Sequence, residues 1–215
     1  MLRHLTTALV LVVALSGCAG IGQPQPYDSV GINGLVIPTP SPDPDDFVDA
    51  VDNAWLALEP GATAHYDVSD AGRTVGAVDA EVLAGTTTIA GLSATGVRTT
   101  TEVAGETTVE TSFYAQDVDG NVWLVAVDAE VGGWRAGEAG AEAGLAMPAE
   151  PRLGDGWRAY VVPGQPETAV RVEDLSRTMV QLRREAGTTT RTVYEKGAGL
   201  VSVEDLDQGW VATRR

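Results

Sequence analysis

One cysteine, Cys18, and two histidines, His4 and His65, are all the thiol and imidazole groups in 215 residues. An internal disulfide is impossible and zinc sites built on paired cysteines are excluded. A serine or cysteine nucleophile would have to find its base among two imidazoles. Lysine occurs once, at Lys196, and the 14 basic residues face 30 acidic ones, for a formal net charge of −16. A surface of that sign repels phosphate backbones and anionic lipid headgroups, which argues against nucleic-acid binding through a basic patch. It attracts cations and basic peptides, and it also keeps an exported domain dissolved. The excess of arginine over lysine, with abundant alanine, glycine, valine and aspartate, points to a GC-rich genome. Long apolar runs are missing too. The longest, residues 5–17, falls short of the roughly 20 residues that span a bilayer, so no transmembrane helix is expected.

What that run does have is the anatomy of an export signal. Arg3 supplies the positive start, residues 8–15 the apolar core, and Ser16-Gly17 the small residues before a cleavage point. Cys18 follows at once, in Leu15-Ser16-Gly17-Cys18, which resembles the lipobox of bacterial lipoproteins, where this thiol receives diacylglycerol and becomes the first residue. An unmodified thiol beside an ordinary cleavage site is the alternative. Each buried methylene adds about 0.8 kcal/mol to membrane binding, so two or three chains on Cys18 hold firmly where one does not. Lipidation requires no cofactor in the mature fold. Without residues 1–17 the chain keeps 13 basic against 30 acidic residues, a charge of −17.

Residues 18–44 carry Pro24, Pro26, Pro38, Pro40, Pro42 and Pro44 among glycine, serine and aspartate, and read as a tether. In polyproline form, at about 3.1 Å per residue, it reaches at most roughly 80 Å from the membrane. Within it, residues 32–37 have the composition of a strand that could dock on the domain. The remainder, 45–215, fits one domain. Residues 45–55 place Phe47, Val48, Val51 and Trp55 at helical spacing behind early aspartates, predicting one short helix.

From Thr63 onward short runs of threonine, valine and aromatics are broken by Asp70-Ala71-Gly72, Ala104-Gly105, Asp119-Gly120, Ala186-Gly187 and Asp207-Gln208-Gly209, as in successive hairpins. In residues 107–117, Val109, Phe113 and Ala115 alternate with Glu110, Ser112 and Gln116, predicting one buried and one wet face, with Tyr114 interrupting the wet one. Residues 122–127 are apolar on both faces and predict a central strand covered on two sides. A loop with a strand fragment is expected around Trp134, and further strands near 157–162, 170–175, 178–183, 188–194 and 200–206. The fold expected is mainly β: a single antiparallel meander of nine to eleven strands forming a curved sheet or open barrel.

Several phrases have a family look: Asp52-Asn53 before Leu58-Glu59-Pro60-Gly61; Tyr114-Ala115-Gln116-Asp117 leading to Gly120-Asn121-Val122-Trp123; Met147-Pro148-Ala149 with Pro151 and Gly154-Asp155; Pro163-Gly164; and Tyr194 before Gly197-Ala198-Gly199-Leu200-Val201. Together, over residues 52–204, they resemble an uncharacterised family of exported actinobacterial proteins and lipoproteins. The resemblance implies fold and export, and no activity.

Chemistry-bearing sets are few. His65 stands in a strand-like run with no Gly-x-Ser-x-Gly elbow elsewhere. Asp117-Val118-Asp119-Gly120-Asn121 opens like a calcium loop, but Ala126 stands where the closing glutamate belongs, so Asp119-Gly120 reads as a hairpin turn. Asp43, Asp45, Asp46, Asp49 and Asp52 cluster at the expected helix start. Of the five tryptophans, Trp134 in its glycine-rich stretch is the one that core packing does not account for in advance. The reading that results is a non-enzymatic protein anchored through Cys18, with a concave face for an apolar or envelope ligand. A partner-binding envelope lipoprotein and a cell-wall hydrolase using two carboxylates are the alternatives.

Overall fold

The computed structural model describes residues 42–215. Cys18, the export signal, most of the tether and the strand-like stretch 32–37 lie outside the described residues. Fourteen strands follow in order: β1 (Phe47–Val48), β2 (Thr63–Asp70), β3 (Arg73–Ile89), β4 (Leu92–Val103), β5 (Glu106–Asp117), β6 (Val122–Ala129), β7 (Trp134–Arg135), β8 (Gly144–Met147), β9 (Gly156–Trp157), β10 (Ala169–Leu175), β11 (Met179–Ala186), β12 (Thr188–Glu195), β13 (Gly199–Asp205) and β14 (Trp210–Arg214). They form one antiparallel sheet in the order β7-β6-β5-β4-β3-β2-β14-β13-β12-β11-β10-β9, with β1 on β5 and β8 on β6. The meander is the expected one, and all five expected turns join neighbouring strands. Three connections are two-residue Ala-Gly loops, Ala71-Gly72, Ala90-Gly91 and Ala104-Gly105, with both residues at positive φ as the twist of a tight hairpin requires.

Two local expectations are corrected. No α-helix forms over 45–55. A single 3-10 turn, Pro44–Asp46, is capped by the Asp43 carboxylate, which accepts from Asp45 N, and the chain then extends into β1 beside Asp117 and Gln116. An isolated helix of that length is marginal. The edge of β5 instead offers a ladder, and side chains take the amides a helix would have paired: Gln116 Oε1 accepts from Asp52 N and Asn53 N, and Asn53 Oδ1 from Trp55 N and Leu56 N. The strand expected over 157–162 shrinks to Gly156–Trp157. Beyond it the Thr168 hydroxyl takes over the backbone of Tyr160, and Val161 forms an isolated bridge with Glu142.

The sheet rolls up without closing. Its two ends meet at a seam where Glu142 N donates to Val161 O (2.8 Å) and Trp157 Nε1 to Leu145 O (2.6 Å). One core cluster joins both halves, with Val82, Phe113, Leu124 and Leu145 from one side and Trp157, Val170, Val172, Val180 and Leu182 from the other. A smaller one, Tyr66, Val68 and Ala212, sits midway along the sheet. Residues 122–126 of β6 are all buried, as two-sided apolarity predicted. The segment between β1 and β2 crosses one end of the roll as a strap. It is tied at Gly197 N to Ala54 O (2.8 Å), buries Val51, Trp55 and Leu58, and lies with Trp55 under the Lys196 ammonium.

Candidate functional site: the inner face of the roll

Directly opposed residues of an antiparallel pair share a face. Leu182, Thr192, Val203, Ala212, Val68 and Gly76 are successive partners across β11, β12, β13, β14, β2 and β3. Further along β3 the same face continues through Val82, Val97, Ser112, Val127 and Trp134. Two strand positions away lie Tyr114 on β5, Tyr194 on β12 and Arg184 on β11. Strands β5 and β12 are six steps apart along the sheet, about 29 Å if it were flat at about 4.8 Å per step. Yet the Tyr194 hydroxyl feels Tyr114, and both feel Arg184. This face is therefore the inside of the roll.

The even positions of β5 were expected to be its wet face. Phe113 and Ala115 are buried and Glu110 is exposed as expected, but Ser112 and Gln116 are buried as well, and Val109, expected inside, is 52% exposed near the turn end of the strand. The second half of the strand is thus covered on both faces, and Tyr114, which seemed to break the polar pattern, shares its face with Ser112 and Gln116.

The centre of this face is a cationic and phenolic group among aliphatic walls. Arg184 continues the inward alternation of Val180 and Leu182, and its guanidinium lies 5.5 Å from the centroid of Tyr160. Tyr160 packs on Trp134 at 5.0 Å and 38°. Arg184 Nε is buried with no hydrogen-bond partner, and among the described residues no ion pair includes this arginine. On the same face of β5, the exposed Glu110 carboxylate accepts from Ser112 Oγ at 3.3 Å.

Burial raises the ionisation of Tyr194 far above the ordinary phenol range. The neighbouring Tyr114 adds to the rise and Arg184 opposes it. Tyr114 is raised likewise, mainly by burial. Both hydroxyls stay neutral donors at neutral pH. Because the folded-state values exceed the unfolded value of about 10, the folded state loses stability only as pH climbs past about 10, where the unfolded chain releases protons first. Urea midpoints measured from pH 9 to pH 12 should fall with a slope of at most about 1.4 kcal/mol per pH unit for each such tyrosine. Tyr194→Phe should flatten the fall, and an unchanged slope in that variant would mean its phenol ionises freely.

The other candidates resolve into structure. His65 points away from the inner face, with Nδ1 2.7 Å from Asp79 Oδ1 and Nε2 3.6 Å from Asp67 Oδ1. Asp67 is itself held below the usual carboxylate range by Arg215. Asp117 is a tie-point: its carboxylate accepts from Asn121 N, Asn121 Nδ2 and Trp123 Nε1. Among the described residues no group of three or more His, Cys, Asp or Glu side chains is arranged to hold a metal. Glu173 and Glu204 share Arg191 between them, at 3.2 and 2.7 Å. Trp134 is buried, and the groove of about 370 Å³ beside it is bordered by the Arg135–Asp128 ion pair. Cys18 lies outside the described residues.

Arg184 and Tyr160 were not singled out from the sequence, and Tyr194 entered only as part of a family phrase. The available signal was an arginine at the third inward position of an otherwise apolar alternation, Val180, Leu182, Arg184.

No family model and no curated protein matches the chain. Among solved structures it is similar to a Bacteroides fragilis protein described as a "putative exported protein with YmcC-like fold". The identity is 10%, over 75% of this chain and 97% of that one, with a TM-score of 0.38. A likeness of that size carries no argument about this chain.

Proposed function

We propose that the protein is an exported lipoprotein, acylated at Cys18 and held off the membrane by residues 18–44, whose rolled sheet binds an apolar or amphipathic envelope ligand without catalysing a reaction on it. The observation that carries the reading is the inner face. Aliphatic residues (Val82, Val97, Val127, Leu182) and hydroxyl groups (Ser112, Thr192, Tyr114, Tyr194) share the inward face of the rolled sheet, strapped at one end by the Trp55 segment. A face needed only for packing has little use for such a row of half-buried hydroxyls beside its aliphatic residues, since burying a polar group costs stability unless it is bonded. The export signal, the lipobox and the resemblance to exported actinobacterial proteins supply location.

Two measurements test the two halves. Growth with an alkyne palmitate analogue should tag the wild-type chain and leave Cys18→Ala unlabelled; equal labelling of both would remove the anchor. Native mass spectrometry of gently purified protein should show a retained mass of lipid size that organic extraction removes. Consistently bare protein from its own membrane would defeat the binding reading.

A further inference from the structure

We infer that residues 32–37, the strand-like run inside the tether, dock as an added parallel strand on the open edge of β3 and shorten the tether by doing so. The docking stands apart from the ligand reading above; only the change in reach rests on acylation at Cys18.

Strand β3 is 17 residues long, but β2 pairs with it only from Arg73 to Glu81, and Gly61 and Ala62 close that side at Val82. Beyond Val82, among the described residues, β3 pairs with β4 alone, through Thr86 to Ile89. Ile89 and Leu92 close the two-residue Ala90-Gly91 loop as a hydrogen-bonded pair, so the alternation turns the N–H and C=O of Thr86 and Thr88 away from β4. Residues 84–88 are exposed, and no atom lies within 4 Å of a Cβ built on Gly85. Sheet edges are normally guarded by charge, proline or brevity. The outermost strands β7 and β9 are two residues long, whereas Leu83-Ala84-Gly85-Thr86-Thr87-Thr88-Ile89 has neither charge nor proline, and its register shift lies ahead of the threonines.

The tether arrives at this hairpin. Pro44 Cγ lies 3.4 Å from where a Cβ on Gly91 would stand, at the tip between β3 and β4. Strands β1 and β4 both run antiparallel to β5, so the chain leaves Pro44 in the direction of β4 and against that of β3. A strand on the far edge of β3 that runs toward the tip therefore needs one turn round the tip to enter β1. Seven steps separate Ile37 from Pro44, about 22 Å in the polyproline form that Pro38, Pro40 and Pro42 favour. Crossing two strand spacings takes about 10 Å, which places Ile37 beside Ile89 and Ile32 beside Ala84. The antiparallel orientation would add the length of residues 84–89, about 17 Å, and exceed the reach. Pro38, which has no N–H to give, ends the run where the ladder ends. Residues 32–37 are uncharged, so they meet the uncharged edge without desolvating an ion. Belonging to the same chain, they are present at an effective concentration on the order of millimolar, ahead of a second copy. Once docked, they leave residues 18–31 as the free tether, which reaches at most roughly 43 Å in place of roughly 80 Å.

Amide hydrogen exchange on the mature chain with Cys18→Ser tests the docking. Thr86 and Thr88 should exchange at least about 10-fold more slowly than unpaired edge amides. Asn33→Pro combined with Leu35→Pro should release both, while the amides of residues 122–126 in β6 keep their protection. Two cysteine pairs test the orientation. Under mild oxidation Val36→Cys should close an intramolecular disulfide with Thr88→Cys at least about 10-fold faster than with Ala84→Cys, since four residues along a strand exceed the roughly 7 Å that a disulfide spans.

Thr86 and Thr88 amides that exchange freely, or that stay protected in the double-proline variant, overturn the docking. Faster closure with Ala84→Cys overturns the parallel orientation and the reach argument with it. Disulfides formed between chains, with sedimentation showing a dimer, give the edge to a second copy and overturn the tether as its occupant. None of these outcomes touches palmitate labelling or a retained ligand, so the docking and the reading above fail separately.

Discussion

Gly144→Ala should lower stability by about 4 kcal/mol or more, or prevent folding, although the added group is one methyl and the site is fully buried in apolar company. Gly144 opens β8, opposite Leu124 of β6, at the seam where the two ends of the rolled sheet touch. A Cβ there would fall inside the carbonyl of Ala159 and 2.6 Å from Tyr160 N. These are backbone atoms, so no side chain can swing aside, and the relief available is to part the seam. Parting it breaks the Glu142–Val161 bridge and the Trp157 Nε1 bond to Leu145 O, and unseats Tyr160 from Trp134 and Arg184. The control is Gly85→Ala. Gly85 lies in the irregular stretch of β3, its φ is not positive, and no atom lies within 4 Å of an added Cβ. That change should be neutral or stabilise by up to about 1 kcal/mol through the unfolded chain. Urea denaturation of both variants decides it: a Gly144→Ala midpoint within the span of the Gly85→Ala one would show that the seam is loose.

The same seam marks the limit of what period and composition convey. Alternation along β5 states correctly that Glu110, Ser112, Tyr114 and Gln116 share a face, because a two-residue repeat is local geometry. Which face is inside depends on the curvature summed over the six steps from β5 to β12, and no window of sequence contains that sum. Ser112 was for this reason expected to be wet and is buried. The hairpin turns were legible because an Ala-Gly or Asp-Gly pair states its own backbone conformation. The strand β1 was not, since two residues have no period, and its partner Asp117 is 70 positions away from Phe47. Arg184 was legible in principle, as a charge in an apolar alternation. Only the roll, which brings Tyr160, Tyr114 and Tyr194 around it, distinguishes it from the surface arginines Arg183 and Arg191 on neighbouring positions, which are paired to carboxylates.

The phrases that gave the family resemblance acquire a physical meaning in the second large effect. Asn53→Ala should destabilise the domain by about 3–5 kcal/mol, more than a typical polar deletion, because Asn53 ties three separate chain segments with one buried amide. Its Nδ2 donates to Gly120 O (2.8 Å) and Pro148 O (3.2 Å), while its Oδ1 accepts from Trp55 N (2.8 Å) and Leu56 N (3.1 Å). The residue is 5% exposed, so each partner left behind has little access to water. Around it, Gln116 bonds the backbone of Asp52 and Asn53 and the Asp52 carboxylate, and Asn121 bonds Asp117 and Ala149 N. Asp52-Asn53, the Gln116-Asp117 to Asn121-Trp123 hairpin and Pro148-Ala149 are thus one hydrogen-bonded knot at the strapped end of the roll. Its role is to hold the Trp55 strap and the β5–β6 hairpin in register. Asn53→Asp keeps the two acceptor bonds, loses both donor bonds and buries a charge against two carbonyls, so it should be at least as damaging as alanine at neutral pH. Its deficit should shrink as pH falls through the raised carboxyl value, because a protonated acid can again donate to one carbonyl. Guanidinium denaturation of the two variants at pH 4 and pH 7 tests this. Asn53→Ala within about 1 kcal/mol of the parent would show that the knot is wet, and an Asn53→Asp deficit independent of pH would show that its carboxylate escapes to solvent.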